Sequence, residues 1–114
     1  MKQEKYSSQN LFSDAHVRKL RARYEQIKNQ ISQLDWVTQG SVTANKPGSW
    51  RWTRKVKAKT VTVTLSNQQA ELFRDAITNY RTLENLVREM RQISQKVLLL
   101  SIPGPKRQKP LSLS

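Results

Sequence analysis

Six basic side chains and no acidic one fall between Ser41 and Leu65: Lys46, Arg51, Arg54, Lys55, Lys57 and Lys59. Cations this close together, without carboxylates among them, suit the binding of a polyanion, because each can neutralise a phosphate and release its condensed counterion. Thr60 and Thr62 lie in the same stretch and offer hydroxyls that can donate to phosphate oxygens. These eight residues form the candidate nucleic-acid-binding set. The bland alternative is a solvated sheet face whose charge discourages edge-to-edge aggregation. Six charges of one sign with no acidic neighbour weigh against it.

Little else in the chain could do chemistry. His16 is the only histidine and there is no cysteine, so no thiolate zinc site or disulfide framework can form, and His16 reads as a surface or cap residue. The acids Glu25, Asp35, Glu71, Asp75, Glu84 and Glu89 stand among basic neighbours and read as intrahelical partners, Glu84 with Arg88 for example, rather than as a magnesium-holding cluster. Lys46-Pro47-Gly48-Ser49 has a turn and a hydroxyl but not the glycine framework of a phosphate-cradling loop. The sequence therefore points away from an enzyme, with no catalytic residue, metal site, cofactor or small-molecule substrate expected.

The cations need a scaffold, and the alternation around them supplies one. In Ser49-Trp50-Arg51-Trp52-Thr53-Arg54-Lys55-Val56 and Lys59-Thr60-Val61-Thr62-Val63-Thr64-Leu65, side-chain character swaps at every residue, the period of a strand with one face covered. A turn at Lys57-Ala58 sets Trp50 opposite Leu65, Trp52 opposite Val63 and Arg54 opposite Val61, with Arg51, Thr53 and Lys55 opposite Thr64, Thr62 and Thr60. Trp50, Trp52, Val61, Val63 and Leu65 then face inward, Arg51, Thr53, Lys55, Thr60, Thr62 and Thr64 outward, and Lys57 and Lys59 sit at the tip. Lys-Ala is a poor pair for a primed two-residue turn, so a four-residue loop from Val56 to Lys59 competes with it without changing the parity. Core packing is the stronger reading for Trp50 and Trp52, since base stacking would need both rings on the outer face. Trp36 is also expected in the core.

Helical spacing brackets the ribbon. From Asp14 to about Leu34, the positions Val17, Leu20, Tyr24, Ile27, Ile31 and Leu34 advance by threes and fours along one stripe, with Ser13 as the N-cap. A longer pattern follows Ser66, which makes a capping box with Gln69, and runs Phe73, Ala76, Tyr80, Leu83, Val87, Met90 toward Val97, about 30 residues and about 45 Å long. Neither segment contains Pro or Gly, so the economical arrangement packs the two antiparallel. Leu72, Ile77, Leu86 and Ile93 flank the second seam and need further cover. The ribbon's apolar back serves Leu72 and Ile77. Beyond them, Leu86, Ile93, Val97, Leu98, Leu99 and Leu100 form a candidate protein interface, for a homodimer or a larger nucleoprotein partner.

A chain of 114 residues supports one small domain. Residues 1–12 read as a disordered tail, 13–98 as a helix-hairpin-helix domain and 99–114 as a basic, proline-containing tail. Lys and Arg number 21 against 8 Asp and Glu, a formal charge of +13, so anionic surfaces attract the chain at long range. Nothing approaches the roughly 20 apolar residues of a membrane span, and the first ten residues lack the apolar middle of a signal peptide. The expected location is cytoplasmic and nucleoid-associated, without a membrane partner.

From Gln26 to Leu86 the order of parts resembles a family of small bacterial proteins of unknown function that occur near mobile elements and are often labelled transposases. The matching residues are Arg23-Tyr24-Glu25-Gln26-Ile27, Gly40-Ser41, the stretch from Trp52 to Val61, and Asn79-Tyr80-Arg81. Where that family has a Cys- and His-rich knuckle, this chain has Asn45-Lys46-Pro47-Gly48-Ser49, so any metal site of the family is absent. The resemblance implies a mobile-DNA context. Together these observations predict an α+β protein, an N-terminal helix, a two- or three-stranded antiparallel ribbon and a long C-terminal helix, that binds nucleic acid through the ribbon, with DNA preferred over RNA only by the resemblance. The alternatives are an RNA-binding subunit of a ribonucleoprotein and an adaptor or inhibitor of a nucleic-acid enzyme.

Overall fold

Two helices and three strands follow one another in a computed structural model that describes residues 15–101 and 103–105. They are α1 (Ala15–Ser32), β1 (Ser41–Lys46), β2 (Ser49–Val56), β3 (Lys59–Leu65) and α2 (Asn67–Ser101). The strands form one antiparallel sheet in the order β1-β2-β3, and α2 packs antiparallel on α1, an α+β architecture. The expected cap at Ser13 and Asp14, the N-terminal tail and the basic residues of the C-terminal tail lie outside the described residues. Leu99 and Leu100, assigned from sequence to that tail, belong to α2.

Local chemistry accounts for where the elements begin and turn. At the start of α2, Gln69 donates its backbone N–H to Ser66 Oγ (3.2 Å) and Ser66 its own to Gln69 Oε1 (3.0 Å), the reciprocal capping box. Between β1 and β2, Pro47 supplies its fixed φ and Gly48 a φ of 78°, the pair a type II turn requires. Asn45 is the extra residue of a bulge, since Ala44 pairs with Trp50 and Lys46 with Ser49. Between β2 and β3, Lys57 (φ 50°) and Ala58 (φ 68°) make a two-residue turn with both φ values positive, as a type I′ turn demands. The register is the one the sequence predicts, Trp50 with Leu65 through Val56 with Lys59.

Contacts divide the chain into two units, and both helices run from one into the other. The first, Met1–Lys28 with Arg88–Ser114, buries Val17 and Ile27 of α1 and Ile93 of α2. Arg23 there grips Glu89 with two parallel bonds, Nε to Oε2 at 2.7 Å and Nη2 to Oε1 at 2.8 Å. This geometry holds the Glu89 carboxyl below its usual range, chiefly by the hydrogen bond and then by charge, and raises Arg23 for the same reasons, with desolvation opposing both shifts.

The second unit, Asn29–Val87, holds the sheet, and its core is Leu65, Ala70, Ala76, Ile77 and Leu86. The segment after α1 is tied to α2 by Thr38 N–H to Ala76 O (3.2 Å) and by Asn79 Nδ2 to Trp36 O (3.0 Å).

Several burial expectations need correction. Leu86 (8% exposed) and Ile93 (6%) are covered within the chain and are not available to a partner, whereas Val87 of the expected seam is 40% exposed. A straight helix drifts about 20° per heptad against a seven-residue repeat, so the series Phe73, Tyr80, Val87 rotates out toward solvent and Leu86 rotates in. Ile77 is buried as expected, but Leu72 is 68% exposed and has not been covered by the sheet. Val63 stands on the inner face, yet it too is exposed, because that face is well covered only toward Trp50 and Leu65. Trp36, expected in the core, is 82% exposed.

Candidate nucleic-acid interface

The outer face of the sheet consists of hydroxyls and cations. Rows across it read Thr43, Arg51, Thr64, then Ser41, Thr53, Thr62, then Lys55 and Thr60. Arg51, Lys55, Thr60 and Thr62 are exposed, and Thr53 Oγ1 lies 3.3 Å from Thr62 Oγ1. No carboxylate stands on this sheet, and among the described residues no ion pair reaches any of its cations. The ion pairs Arg21–Glu25, Lys28–Glu25 and Arg23–Glu89 all involve the helices.

Not all six cations share this face. Arg54 pairs with Val61 on the inner face, and its guanidinium lies 4.0 Å from the Trp52 ring centroid. Arg51 and Arg54 therefore stand on opposite faces of the sheet, so the candidate set does not form one surface. Lys46 ends β1 beside the β1–β2 turn, at the opposite end of β2 from Lys57 and Lys59. Lys55, Lys57, Lys59 and Thr60 do gather around one tip.

That tip is narrower than the sheet. β1 begins at Ser41 opposite Thr53, so Arg54, Lys55 and Val56 pair only with Val61, Thr60 and Lys59. Three residue pairs past the end of β1 make a two-stranded ribbon about 10 Å long. The full sheet spans about 10 Å between its outer backbones, which nearly fills a B-DNA major groove about 12 Å wide before any side chain is added; two strands fit it, and the groove is about 8.5 Å deep.

The inner face fixes the ribbon to the helix. Trp50 donates Nε1–H to Asn67 Oδ1 (2.7 Å) and carries Arg74 over its ring at 4.7 Å. Trp52 donates Nε1–H to Gln39 O (2.9 Å) and meets Phe73 with centroids 4.6 Å apart. Both indoles thus serve packing, as the parity argument expects. Gly40, at φ 112°, lets the chain turn away against Trp52, where a Cβ would stand 2.6 Å from both Trp52 Nε1 and Thr53 O.

A second feature escaped sequence reasoning. Trp36, Val37, Trp52, Leu72, Phe73 and Ala76 line a groove of about 740 Å³, with Asp35 and Asp75 also on its walls. No periodic pattern marks Trp36, so only its position after a helix end could have signalled it.

Among the described residues no group of three or more His, Cys, Asp or Glu could hold a metal ion, and no helix is long and apolar enough to cross a membrane. Comparison with protein-family models, with curated proteins and with solved structures gives no match to this chain.

Proposed function

We propose that the protein binds nucleic acid by inserting the β2–β3 tip into a groove while the outer sheet face lies along phosphates. The observation that carries this reading is the early end of β1, which leaves Lys55, Lys57 and Lys59 on a ribbon of groove width. B-DNA is favoured over structured RNA because the A-form major groove is deep and too narrow for side chains to read. The mobile-element context rests on the sequence resemblance alone.

The test is salt dependence. Contacts from Lys46, Arg51, Lys55, Lys57 and Lys59 amount to about five phosphates, so affinity for a duplex falls roughly 10²- to 10³-fold between 50 and 200 mM salt. Replacing Lys55, Lys57 and Lys59 with alanine lowers the log–log slope by about one unit per lysine. A flat salt response, or an unchanged slope in the triple variant, overturns the proposal.

Trp36 favours a second reading, a protein adaptor whose partner presents an apolar side chain beside Lys or Arg. Asp35 and Asp75 on the groove walls suit a cationic partner and repel phosphate. Trp36→Ala then abolishes partner binding and leaves duplex affinity unchanged.

A further inference from the structure

We infer that the notch at the foot of the ribbon tip is a phosphate-binding subsite with Arg54 as its fixed donor. For the biological source of the phosphate the inference rests on the nucleic-acid reading; the site itself is argued from its construction. Where β1 stops, the edge of β2 opens into a cavity of about 310 Å³ lined by Gly40, Ser41, Thr53, Arg54, Lys55 and Thr60 among others, with no carboxylate on its walls. Ser41, Thr53 and Thr60, which carry hydroxyls, and Arg54 and Lys55, which carry charge, thus border one open notch at the strand edge. Arg54 Nη1 is buried and has no hydrogen-bond partner. A buried charged donor without an acceptor is costly, and an anion held in the notch can draw the guanidinium toward it and supply the acceptor.

Arg54 is also held in place. Its guanidinium stacks on Trp52, which is itself fixed by the bond from Nε1 to Gln39 O and by the Phe73 ring. Gly40 brings the backbone of the opposite wall against the same indole. A planar fork pre-ordered in this way loses little freedom on binding, which suits a tetrahedral oxyanion approached by donors from several sides. The phosphate can be a backbone diester beside the groove or a terminal monoester.

The experiment follows the side-chain Nε–H signals of Arg54 and Trp52 by NMR in the full chain during titration with inorganic phosphate, then with one oligonucleotide with and without a 5′-phosphate. The expected result is saturable movement of the Arg54 signal, with affinity for inorganic phosphate largely lost in Arg54→Gln and reduced roughly tenfold in Arg54→Lys, which keeps the charge but not the fork. Preference for the 5′-phosphorylated oligonucleotide identifies a terminal monoester, and equal binding a diester. Thr60→Val, which leaves the Trp52 stack intact, weakens phosphate binding even if Arg54→Gln proves unfolded in a thermal scan. An Arg54 signal that phosphate does not move, or equal phosphate affinity in wild type and Thr60→Val, overturns the subsite. Arg51→Ala separates the two ideas, since Arg51 does not line the notch. Loss of duplex affinity there, with Arg54→Gln without effect on any ligand, removes the subsite and keeps the nucleic-acid reading. Retained phosphate binding at Arg54 in a chain with no salt-dependent duplex affinity does the reverse.

Discussion

Against the inner face of the sheet the Trp52 ring meets the tilted ring of Phe73 from α2, with centroids 4.6 Å apart, and carries the Arg54 guanidinium carbon 4.0 Å from its own centroid. Trp52 also holds Gln39 through its Nε1–H, so one side chain ties β2 to α2 and to the segment before β1. Trp36 does the opposite, with 82% of its surface exposed and its backbone carbonyl, rather than its ring, accepting the bond from Asn79. The two indoles should therefore differ sharply on truncation. Trp52→Ala is expected to cost toward the lower end of ~3–5 kcal/mol, since the ring is only half-buried, and Trp36→Ala about 0.5 kcal/mol or less. Urea midpoints at unchanged m-value measure both. Equal losses would mean that Trp36 is covered and that the groove beside it is not open.

At the scale of elements, the β2–β3 turn places Ala58 at φ 68°, where a Cβ is strained by about 1–2 kcal/mol. Ala58→Gly relieves that strain but adds about 0.4–1 kcal/mol of unfolded-chain entropy, so the hairpin should gain about 0.5–1 kcal/mol, read as a higher melting temperature. A lower one would show that the turn is not type I′. The Arg23–Glu89 fork between the helices gives a pH signature. Glu89 titrates below its usual value when folded, so its contribution is complete above about pH 4.3 and disappears as pH falls through the lower folded value. Arg23 is raised, so its own contribution is lost only at extreme alkaline pH and does not affect the acid limb. Wild type should exceed Glu89→Gln in melting temperature at pH 7 by a modest margin, and the two should converge in acid; a pH-independent difference would point to packing instead. The Trp50–Leu65 register and the Ser66–Gln69 capping box were legible in the sequence because both depend on neighbours a few residues away or on strict parity. Val87 misled because a heptad repeat overruns a helix of 3.6 residues per turn. The early end of β1 was invisible because Gly40 matters only through Trp52, a contact that no local pattern encodes.

At the scale of the whole molecule, a formal charge of +13 drives copies of the chain apart, while α2 ends in Leu98, Leu99 and Leu100, which are 67%, 77% and 53% exposed. Three leucines fall well short of the roughly 800 Å² per partner of a standard interface, so self-association through this end should be weak. Its salt dependence, however, should be opposite in sign to that of the proposed nucleic-acid binding. Screening of like charges removes the repulsion without touching the apolar contact, so the sedimentation-average mass should rise between 50 and 500 mM salt, over the range in which the proposed duplex affinity should fall. Leu99→Glu should hold the chain monomeric at both salts and leave duplex affinity intact, since Leu99 and the sheet belong to different units. A wild-type chain that stays monomeric at several hundred micromolar in high salt would leave Leu98–Leu100 without a homodimeric role. Loss of duplex binding in Leu99→Glu would instead mean that the sheet engages DNA only when paired.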